Sequence, residues 1–190
     1  VGVGANGNPD VFSNNEANRW FRTATDGIVS GQGDPITLTW SLIPDGTFIS
    51  GFGGEPGSAS DLHARLNGIY GSQAIWLPLM QQVFDGWTSV TGITYVYEAN
   101  DDGRAISSGN RGVLGVRGDV RIAGHAIDGN SGTLAYNFFP DVGDMVIDTS
   151  DNFYNNTNSN SLRLRNVLAH EVGHGIGLSH VEPSNGTKLM

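Results

Sequence analysis

The chain has 190 residues, a size that fits one domain with a small appendage. Its formal net charge of −9 argues against nucleic acid or an anionic membrane surface as a partner. There is no cysteine, so disulfides and thiolate ligands are excluded, and a bound metal must be held by His, Asp, Glu or carbonyl oxygens. No stretch approaches the roughly 18 apolar residues of a membrane span.

Residues 1–34 are rich in Gly, Asn and Asp, and we expect them to form an N-terminal extension or the remnant of a pro-segment. Trp20 and Phe21 are the expected anchors of this segment on a core. The first ten residues lack the basic start and apolar run of a signal peptide, as in a mature secreted chain. The extension could brace the sheet, which we favour, or hold an aspartate over an active site. The candidate aspartates are Asp10, Asp26 and Asp34.

Alternating or continuous apolar residues predict five strands. These are residues 35–43, 93–98, 119–127, 133–139 and 144–148. Residues 51–60 are predicted to be a flexible loop and residues 61–70 a short helix. Apolar side chains recur at three- and four-residue steps through residues 74–92, which is typical of a long amphipathic helix. A second long helix is expected to begin near Leu162. Helices and strands in mixed order, without a regular βαβ repeat, favour the α+β class.

The most informative stretch is HEVGHGIGLSH, at residues 170–180. On a helix, His170 and His174 lie one turn apart on one face and can reach the same metal ion. Glu171 is offset by about 100° around the helix axis, so it can flank the ion and touch a bound water. Gly177 can take the positive φ that ends a helix, and the chain can then bring His180 back to the ion. The spacing therefore predicts a metal site made of three histidines.

Three neutral imidazoles leave a fourth coordination position for water, which is typical of catalytic rather than structural zinc. Zinc polarises a substrate carbonyl and lowers the pKa of its bound water towards about 7. Glu171 would take the proton of that water as general base and pass it to the leaving nitrogen. The predicted reaction is hydrolysis of an amide bond.

The extended motif, HExxHxxGxxH, resembles the metal site of the metzincin metallopeptidases, and within them that of the matrixins. Met190, in TKLM, stands where this family has the methionine of its Met-turn. IDGNSGTLAYNFFP at residues 127–140 and GDMVID at residues 143–148 also look like matrixin segments. The resemblance implies a zincin-like α+β fold, in which a twisted, mixed five-stranded sheet packs on two long helices. Residues 35–190 would then be a catalytic domain truncated after the Met-turn, without the family's specificity wall and C-terminal helix.

The resemblance also bears on metals other than the single catalytic zinc. Matrixins usually carry a second, structural zinc, and two of its histidine ligands would stand at Tyr136 and Val146. We therefore expect that ion to be absent, and His125 nearby to be an ordinary strand or loop histidine.

The family's structural calcium is expected to be retained, with ligands from carboxylates and backbone carbonyls. These ligands would be Asp128, Gly129, Ser131, Thr133, Asp148 and Asp151. Asp119 and Asp144 are candidates for a second calcium site. The acidic run at residues 100–104 is expected to be a solvated turn.

In matrixins, the strand that corresponds to residues 133–139 pairs with an extended substrate through backbone groups. Leu134 and Ala135 are therefore the expected substrate contacts. The resemblance implies a secreted, monomeric zinc endopeptidase whose partner is a protein or peptide substrate. The alternative is a calcium-stabilised binding or surface module with a vestigial or non-proteolytic zinc site. The intact Glu171 argues against that alternative.

Overall fold

The structure is a computed structural model that describes residues 19–180, apart from residues 30, 32 and 108. Its elements follow the chain from two short strands near the N-terminus to a long helix at the end. In order they are β1 (Arg22–Thr23), β2 (Gly27–Ile28), β3 (Ile36–Leu42), β4 (Phe48–Ile49), β5 (Ser58–Ala59), α1 (Leu62–Tyr70), α2 (Gln73–Val90), β6 (Ile93–Tyr97), β7 (Val120–His125), β8 (Ala135–Asn137), β9 (Met145–Asp148) and α3 (Asn158–Gly175). Within the described part of the chain, no helix has the length and apolarity to cross a membrane.

The central sheet has five strands in the order β6-β3-β7-β9-β8. The first four run parallel, and the edge strand β8 is antiparallel to β9. The mixed five-stranded sheet with the long helices α2 and α3 confirms the predicted α+β class. In α3, residues 159–161 have left-handed φ and ψ angles, so the right-handed helix begins at Leu162, as the sequence predicts.

The main core lies between the sheet and its helices. Trp40 on β3, Trp76 on α2 and Leu168 on α3 are all essentially inaccessible to solvent. Burial of each such apolar side chain contributes about 1.5–3 kcal/mol to folding. A smaller cluster, formed by Ile43, Ile49, Ala123 and Val146, is separate from this core. Strands β7 and β9 thus contribute buried apolar residues to both clusters, which makes the sheet a rigid support for the site.

The N-terminal extension is held by Trp20, as predicted, but Phe21 is 45% exposed and is not an anchor. The Trp20 indole N–H donates a buried hydrogen bond of 2.9 Å to the Gly175 carbonyl at the end of α3. Asp26 accepts a hydrogen bond from the backbone N–H of Thr37 on β3, so its carboxylate lies on the sheet and not over the histidines. The described part of the extension therefore braces the domain; Asp10 lies outside the described residues.

The acidic run at residues 100–104 is not a solvated turn, so that prediction is wrong. The Asp101 carboxylate is buried and forms two hydrogen bonds, of 2.6 and 2.8 Å, with the guanidinium of Arg121 on β7. The Ser41 hydroxyl also donates to Asp101, at 2.7 Å. Asp101 is buried because the guanidinium of Arg121, a residue that is 1% exposed, needs a buried counter-charge.

The segment at residues 51–60 also differs from the predicted flexible loop. Its last residues form β5, which pairs antiparallel with β4. The side chain of Glu55 in its middle is only 5% exposed and is hydrogen-bonded to the central sheet. The sequence suggests flexibility because four of these residues are glycine, but a buried carboxylate fixes the loop.

We expect Arg121→Met to lower the free energy of unfolding by about 3–5 kcal/mol, because it leaves the buried Asp101 carboxylate without its partner. Urea denaturation of the metal-loaded protein measures this loss. Arg104→Met is the control: Arg104 is 63% exposed and pairs with Asp102 at 3.4 Å, so the loss should be about 1 kcal/mol or less. Equal losses in the two variants would contradict the structural role given to Arg121.

Candidate metal centre

The last turns of α3 carry His170, Glu171 and His174. Leu164, Leu168 and Val172 of the same helix are buried in the main core, which fixes the helix against the sheet. His170 and His174 are half-buried and line a cleft beside the edge strand β8. The two imidazoles therefore project into the cleft from a helix whose other face is buried in the core and holds it in place.

The end of α3 is a Schellman motif, the helix stop closed by a residue with positive φ. The N–H of Leu178 donates to the Gly173 carbonyl at 3.0 Å, and the N–H of Gly177 donates to the His174 carbonyl at 2.9 Å. Gly177 has φ of 98°, in the left-handed region that favours glycine. This stop turns the chain back along the helix end and brings His180 next to His170 and His174.

The three histidines meet through their Nε2 atoms. The Nε2–Nε2 distances are 3.1 Å between His170 and His174, 2.9 Å between His170 and His180, and 3.0 Å between His174 and His180. Tetrahedral zinc with bonds of about 2.0–2.1 Å would place its nitrogen ligands about 3.3 Å apart. The three nitrogens therefore fit one small metal ion with only a slight outward movement.

A backbone contact fixes the tautomer of His174. Its Nδ1 lies 2.7 Å from the Leu178 carbonyl, so Nδ1–H donates there and leaves the Nε2 lone pair for a metal. Burial lowers the pKa of His174, which favours the neutral, ligating form at neutral pH. The ring of Phe139 packs edge-on against the imidazole, at 5.8 Å between ring centroids. The sequence gives no sign of the contacts from Leu178 and Phe139.

Glu171 is buried beside the histidines, at 6% exposure. Burial raises the pKa of its carboxyl group to about 7, because the ionised form loses its hydration. Its Oε2 atom meets no hydrogen-bond donor in the described part of the chain. Glu171 also lines the cleft, so its carboxylate is available to a water or substrate there.

The cleft has a volume of about 350 Å³ and lies between β8 and the end of α3. Its lining residues are Ala135, Tyr136, Asn137, Phe139, His170, Glu171, His174, Ser179 and His180. Ala135 is thus at the cleft, as the prediction requires. Leu134 is not among the lining residues, and its carbonyl accepts hydrogen bonds from the Asp148 N–H and the Tyr154 hydroxyl.

The predicted calcium carboxylates all face the loop at residues 127–133. Asp148 accepts N–H bonds of 3.2–3.3 Å from residues 127, 128 and 129. Asp151 accepts one from Ser131, at 3.0 Å, and Asp128 accepts one from Thr133, at 2.9 Å. Burial would raise the pKa of Asp148, but hydrogen bonds from Ser150 and the loop hold it below its ordinary value.

These carboxylates accept hydrogen bonds from the backbone of one loop, but their oxygen atoms do not come together around a single point. Across residues 19–180 as described, only the three histidines form a group of three or more His, Asp or Glu side chains with ligand atoms within 4.8 Å of one another. A calcium ion would have to displace some of the N–H donors. Gly129 and Ser131, two of the predicted carbonyl ligands, lie in the same loop with φ of 86° and 68°.

Asp119 and Asp144, the candidates for a second calcium site, are both buried and already hydrogen-bonded. Asp119 accepts from the Ala24 N–H at 2.7 Å and from the Thr39 N–H at 2.9 Å. Asp144 accepts from the Arg121 N–H at 2.9 Å, and burial raises the pKa of its carboxyl group to about 8. Each carboxylate therefore accepts hydrogen bonds from the backbone of another segment of the chain.

Four other positions named from the sequence have definite places or fall outside the structure. His125 is a strand histidine, as expected, but it has partners: Glu55 and Ser58 bond its two ring nitrogens. Val146 is fully buried in the apolar cluster, and the Tyr136 hydroxyl donates to Glu55. Met190 lies outside the described residues.

Comparison with known proteins assigns the chain to a family. The sequence profile of the matrixin family matches residues 73–188, more than half of the chain. The chain belongs to the matrixin family of metallopeptidases. It is similar to the interstitial collagenase of Oryctolagus cuniculus, with 32% identity over 106 residues. This match covers 53% of the chain and 20% of the collagenase, so the chain spans about a fifth of that relative's length.

We expect Gly177→Ala to weaken zinc binding, because alanine strains the left-handed residue that returns His180 to the site. A strain of about 1–2 kcal/mol corresponds to a rise of roughly 5- to 30-fold in the zinc dissociation constant. Competition with a chromophoric chelator measures that constant. Gly71→Ala is the matched control, since Gly71 ends α1 with φ of 91°. Gly71→Ala should lower thermal stability and leave zinc affinity unchanged; a similar loss of zinc affinity in both variants would contradict the role of Gly177.

Proposed function

We propose that this protein is a zinc-dependent endopeptidase that hydrolyses peptide bonds with Glu171 as general base. One observation carries the proposal: three Nε2 atoms converge to within 3.1 Å of one another, directly beside a buried carboxylate in an open cleft. Membership of the matrixin family supports the same chemistry. When bound, zinc supplies a Lewis acid that polarises the substrate carbonyl and acidifies water.

The chain's own residues provide the rest of the mechanism. His170, His174 and His180 would hold the ion, and the exposure of His180 leaves the cleft side open to water and substrate. Glu171 takes the proton of the attacking water and delivers it to the leaving amine nitrogen. A carboxyl group whose pKa lies near 7 suits both steps, since it can accept and then release a proton at neutral pH.

The edge strand β8 supplies the proposed substrate contact. Among the described residues it pairs with β9 on one side only, so its other edge can accept an extended peptide as an added strand. Ala135 lies on this strand and lines the cleft with the histidines. A peptide paired there would pass directly over the metal position, with its scissile carbonyl near Glu171. Protein or peptide is therefore the proposed substrate class, and the protein is proposed to act as a secreted monomer.

We expect Glu171→Gln to lower kcat/KM for casein cleavage by at least about a thousandfold, because it removes the general base while keeping the side-chain shape. Zinc content, measured by mass spectrometry of the native protein, should stay at one ion per chain. Glu98→Gln is the matched control, since Glu98 lies outside the cleft and accepts N–H bonds from Asn100 and Gly115.

A zinc chelator should abolish the activity, and added zinc should restore it. Cleavage that survives in Glu171→Gln would contradict the assigned base. Zinc binding without hydrolysis of casein or gelatin would instead favour the binding or surface module with a non-proteolytic site.

We also propose that the loop at residues 127–133 binds one calcium ion. The support is that three aspartates bond the backbone of this loop, together with the lowered pKa of Asp148 and the family assignment. The loop would exchange some N–H donors for carbonyl oxygens on binding.

We expect calcium at 100 times its dissociation constant to raise the Tm of the zinc-loaded protein by roughly 5–10 °C. Differential scanning calorimetry measures the shift against a sample that contains a calcium-selective chelator. Asp148→Asn should remove the shift, whereas Asp45→Asn, which loses one of the two N–H bonds that Asp45 accepts from α1, should keep it. A Tm that does not respond to calcium would refute the site.

A further inference from the structure

The loop at residues 51–57 is tied to the central sheet through one carboxylate oxygen. Oε1 of Glu55 accepts hydrogen bonds from the Tyr136 hydroxyl at 2.9 Å and from the backbone N–H of Phe52 at 3.1 Å. The same oxygen lies 3.1 Å from Nε2 of His125. On the other side of the ring, Nδ1 of His125 lies 2.8 Å from the Ser58 hydroxyl. Three donors therefore converge on a single oxygen.

The side chains at the centre of this cluster are buried in the protein. His125 is 0% exposed and the Glu55 side chain is 5% exposed. A buried carboxylate costs several kcal/mol unless donors replace its lost hydration, so the three donors keep Glu55 in place. The glycines at the base of the loop fit it closely, because a Cβ on Gly51 would collide with the Glu55 carbonyl. These bonds join the loop to the sheet. We call the bonded set of Glu55, Phe52, His125 and Tyr136 the Glu55 clasp.

The clasp acts on the strand that faces the cleft. Tyr136 is the middle residue of β8, which has three residues and one neighbouring strand. The residues that flank β8 are held by other bonds: Tyr154 donates to the Leu134 carbonyl, and the Phe138 N–H donates to the Asp144 carbonyl. The ring of Phe52 adds aromatic contacts to Tyr136 and Phe138, with centroid distances of 5.4 and 5.6 Å. The side chain at the middle of the strand is therefore held by the clasp.

We propose that the Glu55 clasp positions β8 for the substrate, and that Glu55 and Tyr136 are positioning residues of the peptidase site. The proposal rests on the proposed function, in which a peptide adds to the free edge of β8. A strand of three residues with one ladder is marginal on its own. The clasp keeps the strand in its extended, hydrogen-bonding conformation before the peptide arrives, so less conformational freedom is lost on binding.

The test compares Tyr136→Phe and Glu55→Met with two controls in the zinc-loaded full chain. Tyr97→Phe removes a hydroxyl from β6, the opposite edge of the sheet, and Glu98→Met removes a loop-anchoring carboxylate outside the cleft. Hydrogen–deuterium exchange of the backbone amide of residue 136, which faces β9, should become about tenfold faster in the two clasp variants and stay unchanged in the controls. Combining Tyr136→Phe with Glu55→Met should add little, because both changes open the same clasp.

The functional test measures KM and kcat separately, to distinguish an effect on substrate binding from an effect on the chemical step. The clasp variants should raise KM for a casein-derived octapeptide about tenfold and leave kcat within about twofold of the parent. In a Glu171→Gln background, the dissociation constant of the same octapeptide should rise by a similar factor, and this measurement does not depend on turnover.

Unchanged exchange in β8, or faster exchange with unchanged octapeptide binding, would overturn the proposal. An inactive parent protein would count against the peptidase assignment alone. The octapeptide dissociation constants in the Glu171→Gln background would still decide whether the clasp positions β8.

Discussion

The site depends on the abrupt end of α3 at Gly177. Two histidines on one helix turn can hold a metal only weakly, and the third must come from a chain segment that leaves the helix axis. The left-handed φ of Gly177 closes the Schellman motif, and the motif reverses the chain within four residues. The same turn presents the Leu178 carbonyl to Nδ1 of His174, so one backbone feature sets both the position of His180 and the tautomer of His174.

The rest of the fold keeps this helix end where it is. The core face of α3 packs against α2, β8 and β9, and the Trp20 indole bonds the Gly175 carbonyl that the helix itself leaves unpaired. On the other side of the cleft, β8 is held through β9, Tyr154 and the Glu55 clasp. The two walls of the cleft therefore belong to one rigid sheet-and-helix unit, and Glu171 is buried between them with a pKa suited to proton transfer.

The elements that follow from local patterning, and the grouping of the three histidines, could be predicted from the sequence. Helical spacing placed His170, Glu171 and His174, and the glycine at position 177 predicted the return of His180. Partners that come from distant parts of the chain could not be predicted. Asp101 reaches Arg121 across 20 residues and Glu55 reaches Tyr136 across 81, so each looked like part of a solvated or flexible loop. Such contacts exist because β7 and β8 place polar side chains beneath these loops, which no local pattern records.

The most direct test of the three-histidine centre is zinc-edge X-ray absorption of the metal-loaded protein. We expect three imidazole nitrogens at about 2.0–2.1 Å and one exchangeable oxygen, with a signal that changes when a hydroxamate inhibitor replaces the water. In His180→Ala, the spectrum should lose one imidazole. Four protein ligands with no exchangeable position, or a spectrum that is the same in His180→Ala, would contradict a catalytic centre built by the turn at Gly177.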